Sequence, residues 1–267
     1  MKASEFLPER WYAYGAALYA SAAYAQLGDL PAARKLLYKH LPQLEQTQNL
    51  TGLATLLNVL PLLDLIEREA EPMLEHSRRA VEVSIQSQDR LWQFIGLTNQ
   101  ALAASYLGQT DLARSSISEA YAIREQLGAG VYLGDWISAL NAQIMLNLGE
   151  ADEAQQLAER AILDAQAAGG VYAEAIARRV LAQAMLQLNP DRWAETQAAL
   201  DTVLQSLEVG PARLEIAHTH VVYGELLLKR GQRSAAREHF EKAIAQFVKS
   251  GLQRELARVR ALSASCA

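Results

Sequence analysis

Three short phrases in this chain share one form, a leucine and a glycine followed, after four intervening residues, by an alanine. They are Leu27-Gly28 with Ala33, Leu107-Gly108 with Ala113, and Leu148-Gly149 with Ala154. Gly231 with Ala236 repeats the spacing after Lys229-Arg230, and Asn189 stands at the corresponding place in Leu188-Asn189-Pro190. The gap between Gly28 and Gly108 is double the others, which predicts a further joint near residue 68, in Ile66-Glu67-Arg68-Glu69-Ala70-Glu71-Pro72. The period is then about 41 residues, and six units fill the chain. The joint holds no nucleophile, metal ligand or phosphate-cradling loop. Glycine suits a reversal with positive φ, and asparagine is the next best residue there.

Small residues flank each joint. Ala33, Ala113, Ala154, Ala194 and Ala236 lie five after it, with Pro72 in the weak unit. Ser21, Ala101, Ala142, Ala182 and Gly224 lie seven before it, with Leu60 the exception. Small side chains at both places let two antiparallel helices approach closely across a short turn. The second helix keeps a three- or four-residue apolar rhythm, as in Ala154, Leu157, Ala158, Ala161 and in Ala236, Phe240, Ala243, Phe247. Gly128 and Gly130, Gly169 and Gly170, Gly210-Pro211 and Gly251 mark the ends of these second helices. These signals predict an all-α chain in a single solenoid domain. Its helix pairs run at about 9–45, 50–86, 90–127, 130–168, 171–207 and 211–250, with a terminal helix over 252–264.

Composition agrees with helices. Hydrophobic residues make up 51% and charged residues 21% of 267, with alanine and leucine dominant and aromatics at 7%. Cys266 is the one cysteine, so no intramolecular disulfide or cysteine zinc site is expected, and a reducing cytoplasm suits the chain. Lys2, Glu5, Glu9 and Arg10 interrupt any leader-like apolar core. The run from Trp11 to Ala25 reads as a buried helix too short to span a bilayer, so no membrane partner is expected. Residues 229–260 hold nine Lys or Arg against three Glu, a net +6 within a chain of net charge -5. Interleaved glutamates and the lack of a placed aromatic point to a solvated helix face, so direct nucleic-acid binding is not expected.

Leu-Gly-x4-Ala, the small residue seven before the glycine, and Ala236-x3-Phe240-x2-Ala243 together resemble the tetratricopeptide repeat. The period departs from that family, at about 41 residues where its repeat has about 34. The aromatic four before the glycine survives only as Tyr24, with Ala104, Met145, Met185 and Leu227 elsewhere. A HEAT-like array is the other architecture this period fits. The long repeats, with stretches such as EQLGAGVYLGDWISAL and GLQRELARVRALSA, resemble the sensor regions of large bacterial signalling ATPases. Maltose-activator-type transcription regulators and ATPase-linked nucleotide cyclases are among these. The resemblance implies a right-handed α-α superhelix of six helix pairs that binds a peptide, a protein or a small inducer. Separate domains of such proteins hydrolyse ATP and contact DNA. The present sequence has no G-x4-G-K-[ST] and no recognisable helix-turn-helix, which suggests an excised module.

In such a superhelix the first helices line the concave face. Residues 13, 10, 6 and 3 before each joint would project inward: Trp136, Ala139, Gln143 and Leu146, then Ile176, Arg179, Gln183 and Leu186, then His218, Val221, Glu225 and Leu228. The candidate groove residues are therefore Trp136, Gln143, Arg179, Gln183, His218 and Glu225. Amides beside a guanidinium suit a peptide backbone or a carboxylate. Gly130-Val131-Tyr132 and Gly170-Val171-Tyr172 recur at the entry to consecutive first helices, where a tyrosine packs an inter-repeat seam. His218 and His220, with Glu215 and His239 nearby, face different directions at i and i+2, so no common metal is expected. No catalytic grouping stands out, and no enzyme activity or cofactor is expected. The alternative role is self-association as an assembly scaffold through the aromatic first helix (Trp11, Tyr12, Tyr14, Tyr19), giving a homo-oligomer.

Overall fold

The computed structural model describes residues 8–128, 133–207 and 212–266, with side chains of residues 8–14 and of Gln26 excepted. Among the described residues every regular element is an α-helix. The helices group into two compact units, residues 8–25 and 29–128 in one and 26–28, 133–207 and 212–266 in the other.

The turns share one closure. Gly28, Gly108, Gly149 and Gly231 all have positive φ, from 68° to 83°. At each of these turns the next residue's N–H bonds the carbonyl five residues back. Asp29 bonds Tyr24 and Gln109 bonds Ala104 at 2.9 Å, while Glu150 bonds Met145 and Gln232 bonds Leu227 at 3.0 Å. This is the Schellman closure of a helix C-terminus. The joint inferred near residue 68 is present without glycine: Arg68 sits at φ 58°, and Glu69 N–H bonds Asp64 O at 2.9 Å. Gln48 and Gln88 close the intervening turns in the same way, at φ 50° and 56°. Asn49 and Asp89 follow them as N-caps, accepting from Gly52 and Trp92 N–H.

The first unit comprises α1 (Pro8–Leu27), α2 (Leu30–Gln46), α3 (Leu50–Leu57), α4 (Leu60–Glu67), α5 (Ala70–Gln86), α6 (Arg90–Tyr106) and α7 (Thr110–Leu127). The helix expected after Leu50 is split into α3 and α4. Pro61 has no N–H for the Leu57 carbonyl, and the chain breaks at Asn58–Val59. Asn58 Nδ2 donates to Ala54 O (2.9 Å) and Trp92 O (3.3 Å), which ties the break to α6. Leu50–Glu67 is apolar and long enough by composition to cross a membrane, with mean hydropathy 1.5, yet 67% of it is buried within the chain. Trp11–Ala25, the stretch singled out from sequence, is less buried than expected. Ala17, Ser21 and Ala25 form one buried stripe, while Tyr19 is 61% and Tyr24 40% exposed.

The second unit comprises α8 (Gly134–Asn147), α9 (Ala151–Ala168), α10 (Val171–Leu188), α11 (Trp193–Leu207), α12 (Arg213–Lys229), α13 (Arg233–Ser250) and α14 (Gln253–Ala264). Helices α8 to α11 each pack on the next, as do α12 to α14, and α10 also lies against α8 and α12. Small residues set the seams: Ala139 and Ala142 meet Ala158, Ala161 and Ala177 in one fully buried cluster. On α13, Ala236, Phe240, Ala243 and Phe247 are all fully buried, as their spacing predicts. Gly224 lies so close to Phe240 that a Cβ there would stand 2.5 Å from its ring.

Two register expectations fail. Asn189 is extended (φ -149°, ψ 103°), because the residue before a proline is pushed out of the helical regions and Pro190 follows it. Its side chain instead accepts from Asp191 N–H at 2.9 Å, and α11 starts only at Trp193. Ala194 is consequently exposed, and Thr196 takes the buried place. In the weak unit the αL residue is Arg68, so Met73, not Pro72, lies fully buried against the turn. Gly130, Val131, Tyr132, Gly210 and Pro211 lie outside the described residues.

These geometries separate two glycine roles. A Cβ on Gly149 meets nothing within 4 Å, so Gly149→Ala suffers only the strain of a left-handed backbone, about 1–2 kcal/mol in urea denaturation. Gly224→Ala overpacks the α12–α13 contact and costs about 1–3 kcal/mol. Adding Phe240→Leu to Gly224→Ala is expected to return part of that loss, whereas no side-chain change should rescue Gly149→Ala.

Candidate functional site

Within the second unit, equivalent positions of three first helices open onto one cavity of about 890 Å³. Counted back from the turn residues 149, 189 and 231, positions six before (Gln143, Gln183, Glu225), three before (Leu146, Leu186, Leu228) and two before (Asn147, Gln187, Lys229) all line it. Pro190, Val222, Leu226, Arg230 and Leu262 complete the wall. Leucines thus alternate with amides along its length.

Three of the six sequence candidates, Gln143, Gln183 and Glu225, stand on this wall; Trp136, Arg179 and His218 are not part of its lining. The positions 10 and 13 before each turn project into packed interior instead. Ala139, Ile176 and Val221 are at most 4% exposed, and Arg179 and His218 are only 7% and 6% exposed. A guanidinium that buried needs a paired anion. Arg179 Nε donates to Glu215 Oε1 at 2.7 Å, and Arg179 Nη1 donates to Gln143 Oε1 at 3.3 Å. Glu215, itself 3% exposed, is the partner that sequence reasoning did not connect to Arg179. Two buried opposite charges one layer apart carry no periodic signal. His218 packs its ring 5.2 Å from that of Phe247, with Nδ1 3.9 Å from the buried Glu255 carboxylate. Trp136 stacks on Tyr172, centroids 5.1 Å apart and planes 7° apart, so Tyr172 packs a seam between layers.

The polar groups on the wall differ in how fully they are satisfied. Gln143 Nε2 donates to Asn147 Oδ1 at 2.9 Å while its oxygen accepts from Arg179. Glu225 accepts from Arg258 at 2.8 Å, and Arg258 also bonds Glu255. Gln183 Oε1 is shut off from solvent and has no hydrogen-bond partner. At one end Lys229 is exposed, and Arg230 lies 5.0 Å over the Trp193 ring.

Away from the cavity, His220 and His239 approach Nδ1 to Nδ1 at 3.0 Å between α12 and α13. Burial, then the charges of His239 and Lys242, push the His220 imidazolium down to about 4. Burial and Lys242 push His239 to about 4 against the opposing pull of Asp201. Tyr223, its ring against His239, donates to Asp201 at 3.1 Å. Among the described residues no three His, Cys, Asp or Glu side chains are placed to hold a metal ion.

In the first unit, buried Asp64 bridges Arg34 (2.8 Å) and His76 (2.6 Å), and Arg34 also pairs with Glu67. This cluster ties α2 to α4 and α5.

No family model matches this chain, and no curated protein matches it.

Breaking the buried pair from one side leaves an uncompensated charge. Glu215→Gln is expected to cost about 3–5 kcal/mol, and Arg179→Met with Glu215→Met to recover most of it. The neutral histidines set the acid limb of stability. In the fold both stay deprotonated to about pH 4, whereas unfolded histidine takes a proton near 6.5, so the unfolded chain binds more protons between those values. Their contribution is whole above about 6.5 and falls away as pH drops toward 4. His220→Gln with His239→Gln should flatten that part of the stability–pH curve.

Proposed function

We propose that this chain is a non-catalytic recognition module whose second unit holds a peptide or a partner-protein segment in the cavity between α8, α10 and α12. The supporting observation is the repetition: the same three turn-relative positions line the cavity from three successive layers. A repeating wall of leucine and amide suits a chain-like ligand, whose own groups recur, better than a single reacting atom. The resemblance to bacterial sensor repeats supports a place within a larger signalling or transcription regulator, with occupancy of the cavity as the signal.

The test uses the full chain and a displayed library of random twelve-residue peptides. Selected peptides are expected to slow hydrogen exchange at residues 143–147, 183–187 and 225–230. Leu228→Glu should weaken them at least about tenfold, the loss of one buried aliphatic contact plus an unpaired charge, with thermal stability nearly unchanged. Peptides that bind wild type and Leu228→Glu alike, and protect none of these amides, would end this reading.

A second reading, self-association, draws on the exposed apolar side chains of α1, where Tyr19, Tyr24 and Leu27 are 61%, 40% and 47% exposed. Sedimentation that gives the same monomer mass for wild type and Tyr19→Glu would remove it.

A further inference from the structure

Resting on that reading of the cavity, we propose that its ligand is a polyproline-II segment carrying an aliphatic side chain at every third residue, with a peptide N–H donated to Gln183 Oε1. Three observations converge on this chemistry.

The first is pitch. Leu146, Leu186 and Leu228 come from three helix layers, and packed helices stand about 8–10 Å apart. A polyproline-II chain returns to the same face every three residues, about 9.3 Å on. A β-strand returns every two, about 6.7 Å on, and an α-helix every 5.4 Å. Only the first of these steps matches the layers, so successive i, i+3 and i+6 side chains meet successive leucines.

The second is the unsatisfied acceptor. Gln143 and Glu225 already have partners, whereas Gln183 Oε1 lies buried on the wall with none. What it lacks is a donor, and a polyproline-II backbone keeps its own N–H groups unbonded. The residue placed at Gln183 therefore keeps an N–H and is not proline, while proline suits the positions between.

The third is charge. Glu225 is neutralised by Arg258, which leaves Lys229 and Arg230 as the cations at one end of the wall. Acidic residues at the solvent-facing positions of the segment complement them.

The deciding measurement is fluorescence anisotropy of the full chain with two labelled dodecapeptides of identical composition. One is (Leu-Pro-Glu)4; the other alternates Leu and Glu and ends in four prolines. The period-three peptide should bind at least about tenfold more tightly, as expected when a register of buried anchors is lost. Gln183→Leu, which keeps the bulk but removes the acceptor, should weaken it about tenfold, whereas Gln183→Glu, which keeps an acceptor oxygen, should hold within about threefold. Equal binding of the two peptides, both abolished by Leu228→Glu, would overturn this proposal and leave the cavity's role as a recognition site standing. Failure of the period-three peptide to bind overturns it as well. Library peptides that still protect the cavity amides would then show that only the ligand class was wrong.

Discussion

One backbone contact organises this chain: the N–H after a left-handed residue reaching the carbonyl five residues back. It recurs after residues 28, 48, 68, 88, 108, 149, 169, 231 and 251, so the chain reverses after nearly every helix. Glycine adopts the left-handed region without strain, whereas Gln48, Arg68 and Gln88 each lose about 1 kcal/mol there. Asn49 and Asp89 offset part of that cost, because each caps the next helix from the adjoining position. Since the reversals recur at nearly fixed intervals, any position counted from a turn has a counterpart one layer away. The alanine seams, the Gly224–Phe240 contact and the cavity wall all follow from that equivalence.

The fold is legible wherever a turn obeys the rule. Gly28, Gly108, Gly149 and Gly231 mark their turns by residue type, and Arg68 by spacing alone. Asn189 misleads for a local reason. Its type suits a left-handed turn, but Pro190 forbids the helical regions to its predecessor, and the two-residue slip moves burial from Ala194 to Thr196. Pro61 splits a helix that apolar periodicity draws as continuous. Gln48 and Gln88 carry no such mark, since glutamine has no preference for a left-handed turn; the Asn and Asp just after them are the usable signal.

The candidate site is half legible, and for one reason. Counting from the turn locates Gln143, Gln183 and Glu225 on the cavity wall, because that end of each first helix stays open. The same count places Arg179 and His218 in the opening, where they are not. Helical phase says which way a side chain points but not how deep its neighbours stand around it. Depth here comes from Glu215, Phe247 and Glu255, which reach Arg179 and His218 from helices 30 to 40 residues further on.

The contrast between these polar groups bears on what the unit is for. A buried guanidinium and carboxylate that satisfy each other add little net stability over apolar packing, yet they penalise any misplacement of one layer against the next. Arg179–Glu215 therefore acts as a register pin, and its bond to Gln143 carries that pin to the cavity wall. One layer on, Gln183 occupies the matching position without a partner, at a cost of about 1–3 kcal/mol that the chain does not recover internally. An apolar residue there would be more stable in isolation. Retaining an acceptor beside leucines, on a wall held in register by ion pairs, is the arrangement expected of a surface whose missing donor arrives with another molecule.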